Sequence, residues 1–588
     1  MHMGNLAATP GLADAPLIRF EKVSYAYPGN DRQVLKNIDL TIQRGEIIGV
    51  IGPTGAGKST LCLALNGIVP QFFSGTFFGT VDVAGLDTIE TPISQLAHLV
   101  GMVFEDPETQ ITATTVESEV AFALENLKVP TPEISRRVRD ALAMVGLTGY
   151  ETKHPANLSG GQKQRLSIAS ALALAPDIIV LDEPTSQLDP AASEDIFAIL
   201  LRLKRESRTT VVIATHASEE LAQIADRILL VSDGCIAAEG PPDQVFSASS
   251  MLREHRVRPP DITQSFEVIR RHAGVNDMVP LPVTLPAAVQ AITALPPLEL
   301  PASVVEQDRA SRAFRAALSV EGLAYTYPDG TEALRGIDLT IGQGEFVGIL
   351  GRNGSGKTTM VRHFLKLMAP TGGTVRVMGE DIAAMKVSDM ARRIGYVSQN
   401  AHQQIFSDTV AGEVGFALSM MKRPKTEIDT AVEKSLAVMD LAWAAERHPI
   451  SLSRGDRLRV AIAAVLALEP QILIFDEPTT GQDWRGSLAI LDTLKVLNGL
   501  GKTVVLVTHH LYLLPGFTER LVVMNGGRIV LDGPVREVFY ESATLKQAAI
   551  IPPQTVRFAE AVPALGELRP LGPRDLGTRL GLAAEALS

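Results

Sequence analysis

Short and almost wholly apolar runs recur along the chain, and each predicts a buried β-strand. They lie at residues 47–51, 178–181 and 210–214 in the first half and at residues 346–350, 472–475 and 503–507 in the second half. Several are rich in β-branched residues, which favour strands, and longer helical stretches separate them. Strands that alternate with helices predict an α/β fold in which helices cover both faces of a mainly parallel sheet.

An internal repeat sets the domain organisation. Four motif positions return at nearly constant distances: Lys58 as Lys357 after 299 residues, Ser159 as Ser453 after 294, Asp182 as Asp476 after 294, and His216 as His509 after 293. Such slow drift indicates two collinear copies with small insertions. We expect a tail at residues 1–16, domains at 17–250 and 317–548, a connector at 251–316 and a second tail at 549–588.

The connector is rich in proline, which predicts short helical pieces rather than one long helix. Within it, the sequence Pro259-Pro260-Asp261-Ile262-Thr263 is matched 293 residues later by Pro552-Pro553-Gln554-Thr555-Val556. A coincidental pair of prolines would look the same locally. The shared offset favours the alternative, an appendage that follows each domain.

Composition narrows the class of protein. The chain has 588 residues, of which 46% are apolar and 20% charged, and this is ordinary for a globular protein. The net charge of −12 gives a surface that does not attract nucleic acid as a whole. The two cysteines, Cys62 and Cys235, argue against a disulfide framework and suit a reducing cytosol.

Neither a secretory signal nor a membrane span is predicted. Residues 1–16 lack a basic end followed by an apolar run. No apolar run reaches the roughly 18 residues that a span requires. The richest stretch, residues 460–475, is interrupted by Glu469, Pro470 and Gln471 and predicts a helix followed by a buried strand. A role at the membrane would therefore require a partner protein.

Two glycine-rich loops carry the strongest chemical signal, because each follows a predicted strand and precedes a predicted helix. Glycines let backbone N–H groups approach a phosphate chain, and the helix N-terminus adds positive potential. The loop lysines reach the outer phosphates, and the hydroxyl that follows each lysine suits Mg²⁺. The loops, which predict two sites for ATP with Mg²⁺, are Gly52-Pro53-Thr54-Gly55-Ala56-Gly57-Lys58-Ser59-Thr60 and Gly351-Arg352-Asn353-Gly354-Ser355-Gly356-Lys357-Thr358-Thr359.

An Asp-Glu pair ends one predicted strand in each half, as Asp182-Glu183 and Asp476-Glu477. Beside a phosphate loop, the Asp can hold the water shell of the metal and the Glu can polarise an attacking water. An isolated pair of this kind would more simply be a solvated turn. Here the repeat and the Pro-Thr continuation favour catalysis.

Two further pairs of residues recur at the repeat offset. His216 and His509 each follow a buried strand, and their recurrence favours a contact with the γ-phosphate over a purely structural role. Tyr27 and Tyr327 precede the glycine loops, where each could stack on a base or be an ordinary strand residue. We favour stacking.

Together these residues resemble those of the ATP-binding-cassette (ABC) ATPases, and the match spans nearly the whole chain. Ser159-Gly160-Gly161-Gln162, after Leu158, resembles the family's signature motif, and residues 186–189 resemble its D-loop. The resemblance implies two P-loop NTPase domains of the RecA-like ABC type. Each would carry an antiparallel β subdomain and a helical subdomain, the latter near residues 106–175 and 400–469.

A narrower resemblance comes from residues 103–110 and 119–127 and from their counterparts at 397–400 and 413–418. They are similar to the ATPase subunits of energy-coupling factor transporters, which import vitamins or transition metals. The resemblance implies a transmembrane coupling protein and a membrane-embedded substrate-binding protein as partners, and a peripheral location on the cytoplasmic face of the cell membrane.

Two departures from the family pattern stand out. The Q-loop position, which contacts metal and water in the family, is Glu105 in the first half and Gln399 in the second. The second signature keeps Ser453 and Gly455 but has Arg454 and Asp456 in place of glycine and glutamine. Because family members pair head to tail, both departures would fall in the site built from Lys58 and Ser453.

We therefore expect the site built from Lys357 and Ser159 to carry most of the hydrolysis; tolerated drift with equal sites is the alternative. Two other functions compete with the importer. One is a generic ABC importer or exporter ATPase. The other is a soluble twin-cassette ATPase acting on ribosomes or nucleic acid, which the proline-rich connector and acidic charge disfavour.

Overall fold

The computed structural model describes residues 15–29, 32–207, 209–275, 279–298, 315–399 and 404–582, without the side chains of Ser207 and Arg454. These residues divide into two units. One lies within residues 1–267 and 277–292, and the other lies within residues 268–276 and 293–588.

The first half contains ten strands and twelve α-helices among its described residues. The strands are β1 (Ile18–Ala26), β2 (Leu35–Ile42), β3 (Ile47–Ile51), β4 (Thr76–Val83), β5 (Leu86–Asp87), β6 (Val100–Val103), β7 (Ile178–Asp182), β8 (Thr210–Ala214), β9 (Arg227–Ser232) and β10 (Cys235–Gly240). The helices are α1 (Lys58–Ala64), α2 (Ile68–Gln71), α3 (Ile93–Leu96), α4 (Val116–Asn126), α5 (Thr131–Met144), α6 (Gly160–Ala173), α7 (Pro190–Ser207), α8 (Ser218–Ile224), α9 (Pro242–Ser247), α10 (Ser249–Glu254), α11 (Asp261–His272) and α12 (Leu285–Ala291).

The second half repeats the strands and most of the helices. The strands are β11 (Ala316–Thr326), β12 (Glu332–Gly342), β13 (Phe346–Leu350), β14 (Gly372–Val377), β15 (Glu380–Asp381), β16 (Ile394–Val397), β17 (Ile472–Asp476), β18 (Thr503–Val507), β19 (Arg520–Asn525) and β20 (Arg528–Pro534). The helices are α13 (Lys357–Phe364), α14 (Val387–Met390), α15 (Val410–Met420), α16 (Lys425–Val438), α17 (Arg454–Leu466), α18 (Trp484–Gly499), α19 (Val535–Phe539), α20 (Ser542–Gln547), α21 (Gln554–Ala561), α22 (Pro563–Gly566) and α23 (Pro573–Arg579).

Both halves have the same two-sheet topology. A four-stranded antiparallel sheet has the order β2-β1-β4-β5 in the first half and β12-β11-β14-β15 in the second. A six-stranded sheet has the order β10-β9-β3-β8-β7-β6 and, in the second half, β20-β19-β13-β18-β17-β16. The six-stranded sheets are parallel except for β10 and β20, which run antiparallel to their neighbours. The predicted α/β fold class is confirmed.

The central strand β3 shows why the predicted strands have continuous apolar runs. Ile47 and Ile51 pack into one core, with side chains from α4, α5 and α6. Ile48 and Val50 pack into another core, with α1 and the antiparallel sheet. A strand covered on both faces needs apolar residues at every position, and each fully buried aliphatic side chain contributes about 1.5–3 kcal/mol.

Three helices in each half form the region predicted as a helical subdomain. They are α4, α5 and α6 in the first half and α15, α16 and α17 in the second, and they contact one another within each set. The stretch at 460–475 is the end of α17 followed by β17, as predicted. No helix of the described chain is long and apolar enough to cross a membrane.

The connector contains the end of α10 and the short helices α11 and α12, in agreement with its proline content. The two Pro-Pro segments have similar local structure. Each is followed by a helix, α11 after Pro260 and α21 after Pro553, and both helices begin with buried residues. This likeness supports an appendage shared by the two halves.

Candidate active site

Each glycine loop joins the central strand of its sheet to a helix, as β3-loop-α1 and β13-loop-α13. Gly57 and Gly356 start these helices with φ angles of 108° and 104°. A Cβ on Gly57 would lie 2.7 Å from the Val34 carbonyl oxygen, so both the backbone angle and the space require glycine there. The other predicted loop residues, Thr54, Gly55, Ala56, Asn353, Gly354 and Ser355, lie between these strands and helices.

The loop lysines are buried and point back into their own loops. Lys58 Nζ donates to the carbonyl oxygens of Gly52 at 2.8 Å and Pro53 at 3.2 Å. Lys357 Nζ donates to those of Gly351 at 2.6 Å and Arg352 at 3.0 Å. These bonds hold each ammonium group at the centre of its loop, where a phosphate chain would be bound.

The Asp-Glu pairs lie at the carboxyl ends of β7 and β17, next to these loops. Thr358 Oγ1 donates to Asp476 Oδ2 at 3.1 Å, and the Ser59 hydroxyl lies close enough to Asp182 to lower its pKa, against the larger rise caused by burial. Asp182 Oδ1 is buried and has no hydrogen-bond partner among the described residues. A hydroxyl, a carboxylate and an unsatisfied oxygen fit Mg²⁺, which takes one or two carboxylates and completes its shell with phosphates and water.

No group of three or more His, Cys, Asp or Glu side chains suited to a metal occurs in the described parts of the chain. A site with only one carboxylate and one hydroxyl therefore relies on oxygen ligands from the nucleotide. That dependence is typical of Mg²⁺ sites for phosphate substrates.

The carboxylate of Glu183 lies within a cluster of charged groups. Glu183 Oε1 is 3.7 Å from Lys58 Nζ and 3.3 Å from His216 Nε2. Burial raises the pKa of Glu183 to about 7; Lys58 opposes the shift and the charge of Glu105 adds to it. Burial likewise raises the pKa of Asp182 to about 6, again with a contribution from Glu105. A carboxyl group with the pKa of Glu183 is only partly ionised at neutral pH.

The corresponding glutamate of the second module has a different environment. Glu477 Oε2 lies 2.8 Å from His509 Nδ1, and both side chains are buried. Burial opposes ionisation of Glu477, but His509 and Lys357 outweigh it and hold its pKa below the ordinary value. His216 by contrast is more than a third exposed. The Glu477 carboxylate is therefore stabilised by an enclosed histidine, whereas the histidine beside Glu183 is partly exposed.

Two further residues around the second site were missed by the sequence analysis. The Tyr396 hydroxyl donates to Asp476 Oδ2 at 3.4 Å. His510 Nδ1 lies 2.8 Å from Thr479 Oγ1, and its ring packs against His509 with centroids 4.3 Å apart. A comparison of the two repeats position by position would have found both, because the first half has Met102 and Ala217 at the corresponding positions.

The signature serines both cap helices, but their side chains bond differently. Ser159 caps α6, accepting from Gln162 N at 3.3 Å while its own N–H donates to Gln162 Oε1. Ser453 caps α17 and donates its hydroxyl hydrogen to Asp456 Oδ2 at 2.7 Å. Asp456 therefore accepts the hydroxyl hydrogen of Ser453, which is then not available to a ligand, and it adds a negative charge.

The other signature residues lie in the first turns of these helices. Gly160 and Gly161 begin α6, and Gly455 is the second residue of α17. The side chain of Arg454, the other departure noted in the sequence, lies outside the described residues.

The two Q-loop residues lie beyond the ends of β6 and β16. Glu105 is half-buried and acts electrostatically on Asp182 and Glu183. Gln399 is exposed, and no described contact joins it to Asp476. The predicted metal contact of Gln399 stays a prediction.

The two tyrosines lie just past β1 and β11, half-buried. Tyr27 Oη lies 3.1 Å from Thr60 Oγ1, and Tyr327 Oη lies 3.0 Å from Thr359 Oγ1. Both rings are thereby placed beside the first turn of the loop helix. Stacking on a base remains a prediction with a suitable location.

Two α/β domains, each with a glycine loop, a lysine, a hydroxyl and an Asp-Glu pair at adjacent strand ends, define a P-loop nucleoside-triphosphatase. Comparison with known proteins identifies the family. The ABC transporter family matches residues 35–186 and 334–480. The chain belongs to the ABC transporter family, as an ATP-hydrolysing subunit with two cassettes.

Similar proteins in three organisms are described as ABC transporter ATP-binding proteins. One from Methanosarcina acetivorans is 38% identical over 569 residues, covering 95% of this chain and 92% of that protein. Relatives from Methanosarcina mazei and Caldanaerobacter subterraneus subsp. tengcongensis are each 37% identical, covering 92% and 90% of this chain and 93% and 92% of their own lengths.

A solved structure, cbiO1 from Clostridium perfringens, described as part of the ABC transporter complex cbiONQ, is 31% identical. It matches with a TM-score of 0.37 and covers 41% of this chain and 95% of its own.

Proposed function

We propose that this chain is the ATP-binding subunit of an importer for a micronutrient, either a vitamin or a transition metal ion. It would act at the cytoplasmic face of the membrane, through a transmembrane coupling protein and a separate substrate-binding protein. The observation that carries the proposal is a structural element that follows both Q-loops and that resembles the energy-coupling factor ATPases in sequence.

This element is a buried glutamate that ties a loop to the helix after it. Glu119 on α4 accepts from the backbone N–H groups of Thr112 and Ala113 at 2.9 and 2.8 Å. Glu413 on α15 does the same for Phe406 and Ser407 at 3.1 and 2.9 Å. A carboxylate with two such bonds fixes the loop, so a force applied there is transmitted to the helix.

Apolar side chains next to these loops are exposed. Phe122 on α4 is 53% exposed, and Phe406 and Phe416 beside α15 are 63% and 39% exposed. The rings of Phe406 and Phe416 pack edge to face, with centroids 4.6 Å apart. Exposed aromatic side chains on a fixed support are typical of docking surfaces. We infer that the coupling protein binds here.

The catalytic roles follow from the geometry of each module. We infer that Glu183 and Glu477 polarise the attacking water, while Lys58 and Lys357 stabilise the charge of the transferring phosphoryl group. His216 and His509 would orient their glutamates and contact the γ-phosphate. When bound, Mg²⁺ supplies charge neutralisation on the β- and γ-phosphates, held by Ser59 with Asp182 and by Thr358 with Asp476.

We further infer that the two modules pair head to tail, as in the family, and that their two ATP sites differ in rate. The first site would combine Lys58 and Glu183 with Ser453, and the second would combine Lys357 and Glu477 with Ser159. At the first site, the raised pKa of Glu183 and the bond from the Ser453 hydroxyl to Asp456 both favour slow hydrolysis. Binding of ATP at the first site depends neither on an ionised Glu183 nor on a free Ser453 hydroxyl.

Membrane co-purification tests the importer function. The full chain should co-purify from membranes with an integral membrane protein encoded beside it, and alanine at Phe406 and Phe416 should release it without lowering basal ATPase activity. Alanine at Val496, which is exposed on α18, is the control. Co-sedimentation with ribosomes instead would contradict the proposal and favour the soluble twin-cassette ATPase.

Ligand analysis of the co-purified complex distinguishes the remaining alternative. A vitamin or transition metal ion retained by the membrane component would support micronutrient import. A complex whose ATPase activity responds to another class of substrate would favour a generic ABC transporter.

A further inference from the structure

The segment between α1 and β4 differs from its counterpart in the second module. Residues 65–75 join α1 to β4, whereas only residues 365–371 join α13 to β14. The longer segment contains Phe72 and Phe73, and its counterpart contains no aromatic residue. Phe72 is 74% exposed and Phe73 is 42% exposed.

This segment is held in place from both sides. The buried Tyr25 donates its hydroxyl to the carbonyl oxygen of Phe73 at 2.8 Å. On the other side, Gln71 Nε2 donates to the carbonyl oxygens of Thr88 at 2.6 Å and Thr91 at 2.7 Å. The Phe73 ring is therefore presented by a fixed backbone.

Phe73 lies next to Tyr27. Their ring centroids are 6.1 Å apart with an interplanar angle of 73°, and Phe72 continues the cluster at 5.1 Å from Phe73. Tyr27 is in turn hydrogen-bonded to Thr60 at the start of α1. In the second module Tyr327 has only Tyr325 as a recorded aromatic neighbour among the described residues, at 5.0 Å.

We propose that Phe73 forms a second aromatic wall of the nucleobase site in the first module, so that the adenine of ATP contacts both Tyr27 and Phe73. This inference rests on the proposed function, since it assumes that the first loop binds ATP. An aromatic side chain offers a planar apolar surface to a base regardless of catalysis. The first site would thereby hold ATP tightly even though it hydrolyses it slowly.

Binding to the first site alone tests the proposal. In the full-length Lys357→Ala protein, with binding at the second loop weakened, Phe73→Ala should lower the affinity for Mg-ATP by roughly five- to 150-fold, the range for loss of one base–aromatic contact. Its affinity for inorganic tripolyphosphate, which has no base, should not change. Phe73→Trp should bind ATP as the parent does.

Phe78→Ala is the matched control, because Phe78 is 58% exposed on β4 and has no recorded contact with Tyr27. Unchanged ATP affinity in Phe73→Ala would overturn the inference. Equal losses for ATP and tripolyphosphate would also overturn it, since they would show that Phe73 only supports the loop. If the parent bound neither ligand, the ATP site of the first module itself would be wrong.

Discussion

Replacing the two candidate bases one at a time gives the sharpest test of unequal sites. Glu477→Gln and Glu183→Gln are nearly isosteric changes that remove a negative charge and leave the neighbouring histidine in place. We expect Glu477→Gln to abolish most ATP hydrolysis and Glu183→Gln to have a smaller effect. The reason is that, in the proposed pairing, Glu477 would act together with the Ser159 hydroxyl and Glu183 with the Ser453 hydroxyl.

The size of the difference follows from the Ser453 hydroxyl. It donates to Asp456 at 2.7 Å, whereas no described residue accepts the hydroxyl hydrogen of Ser159. A hydrogen bond to a charged group is worth about 1.5–3 kcal/mol, and losing it in the transition state slows a reaction roughly ten- to a hundred-fold. If the first site is slower by that factor, Glu477→Gln should leave about a tenth of the wild-type rate or less.

Phosphate release should be measured on the full chain and on the assembled transporter at saturating Mg-ATP. Asp456→Gln, which installs the residue found at Gln162, should raise the residual rate of the Glu477→Gln protein. The reverse change, Gln162→Asp, should lower the wild-type rate. Greater damage from Glu183→Gln than from Glu477→Gln would refute the reasoning, and equal damage would favour tolerated drift with equal sites.

Three further outcomes follow from the geometry. The pKa of about 7 at Glu183 means that its base form is present above that pH and is lost as pH falls through it, so single-turnover hydrolysis with the second module's base removed should decline below about pH 7. Glu105→Gln should move that decline to lower pH, and an unchanged profile would count against the influence of Glu105. His510→Ala should lower kcat with little change in KM for ATP, because it removes the contact with Thr479 and the packing on His509; a change in KM alone would contradict this. Glu119→Ala removes the charged acceptor of two part-buried N–H groups, so it should lower the free energy of unfolding by about 1.5–3 kcal/mol, measured by denaturant titration against Glu117→Ala on the exposed face of the same helix.

Much of the fold was predictable because the repeat and the strand patterns are strong local signals. Residues 47–51 and 472–475 are apolar at every position, and the structure shows that both faces of these strands are covered. The antiparallel sheet could be predicted only through the family resemblance. Its strand β1 contains register shifts between Phe20 and Val23 and between Val23 and Tyr25, which break the simple alternation of buried and exposed residues.

The site was predictable where the chemistry depends on residue type at a fixed spacing, as in the loop lysines and the Asp-Glu pairs. It was not predictable where the chemistry depends on a contact. Comparison with Met102 marks Tyr396 as a difference between the halves, but its contact with Asp476 arises only because β16 and β17 are adjacent. Similarly, Asp456 was recognisable as a departure, but its bond to Ser453 depends on side-chain conformation.

The differences between the modules lie in separate elements, and all of them disfavour hydrolysis at the proposed first ATP site. Glu105 follows β6, Met102 lies on β6 in place of a tyrosine, and Ala217 follows β8 in place of a histidine. Glu105 disfavours the charged form of Asp182 and Glu183, and Met102 and Ala217 lack the polar groups that Tyr396 and His510 place near Asp476 and Glu477. We find no difference of this kind that disfavours the carboxylates of the second module among the described residues. Asp456 lies in the second module, and only head-to-tail pairing assigns it to the same ATP site as the others. Under the proposed pairing, all four differences fall in one ATP site, although they come from two modules. Tolerated drift would be expected to spread such differences over both sites. A division between a site that retains ATP and a site that hydrolyses it accounts for all four positions.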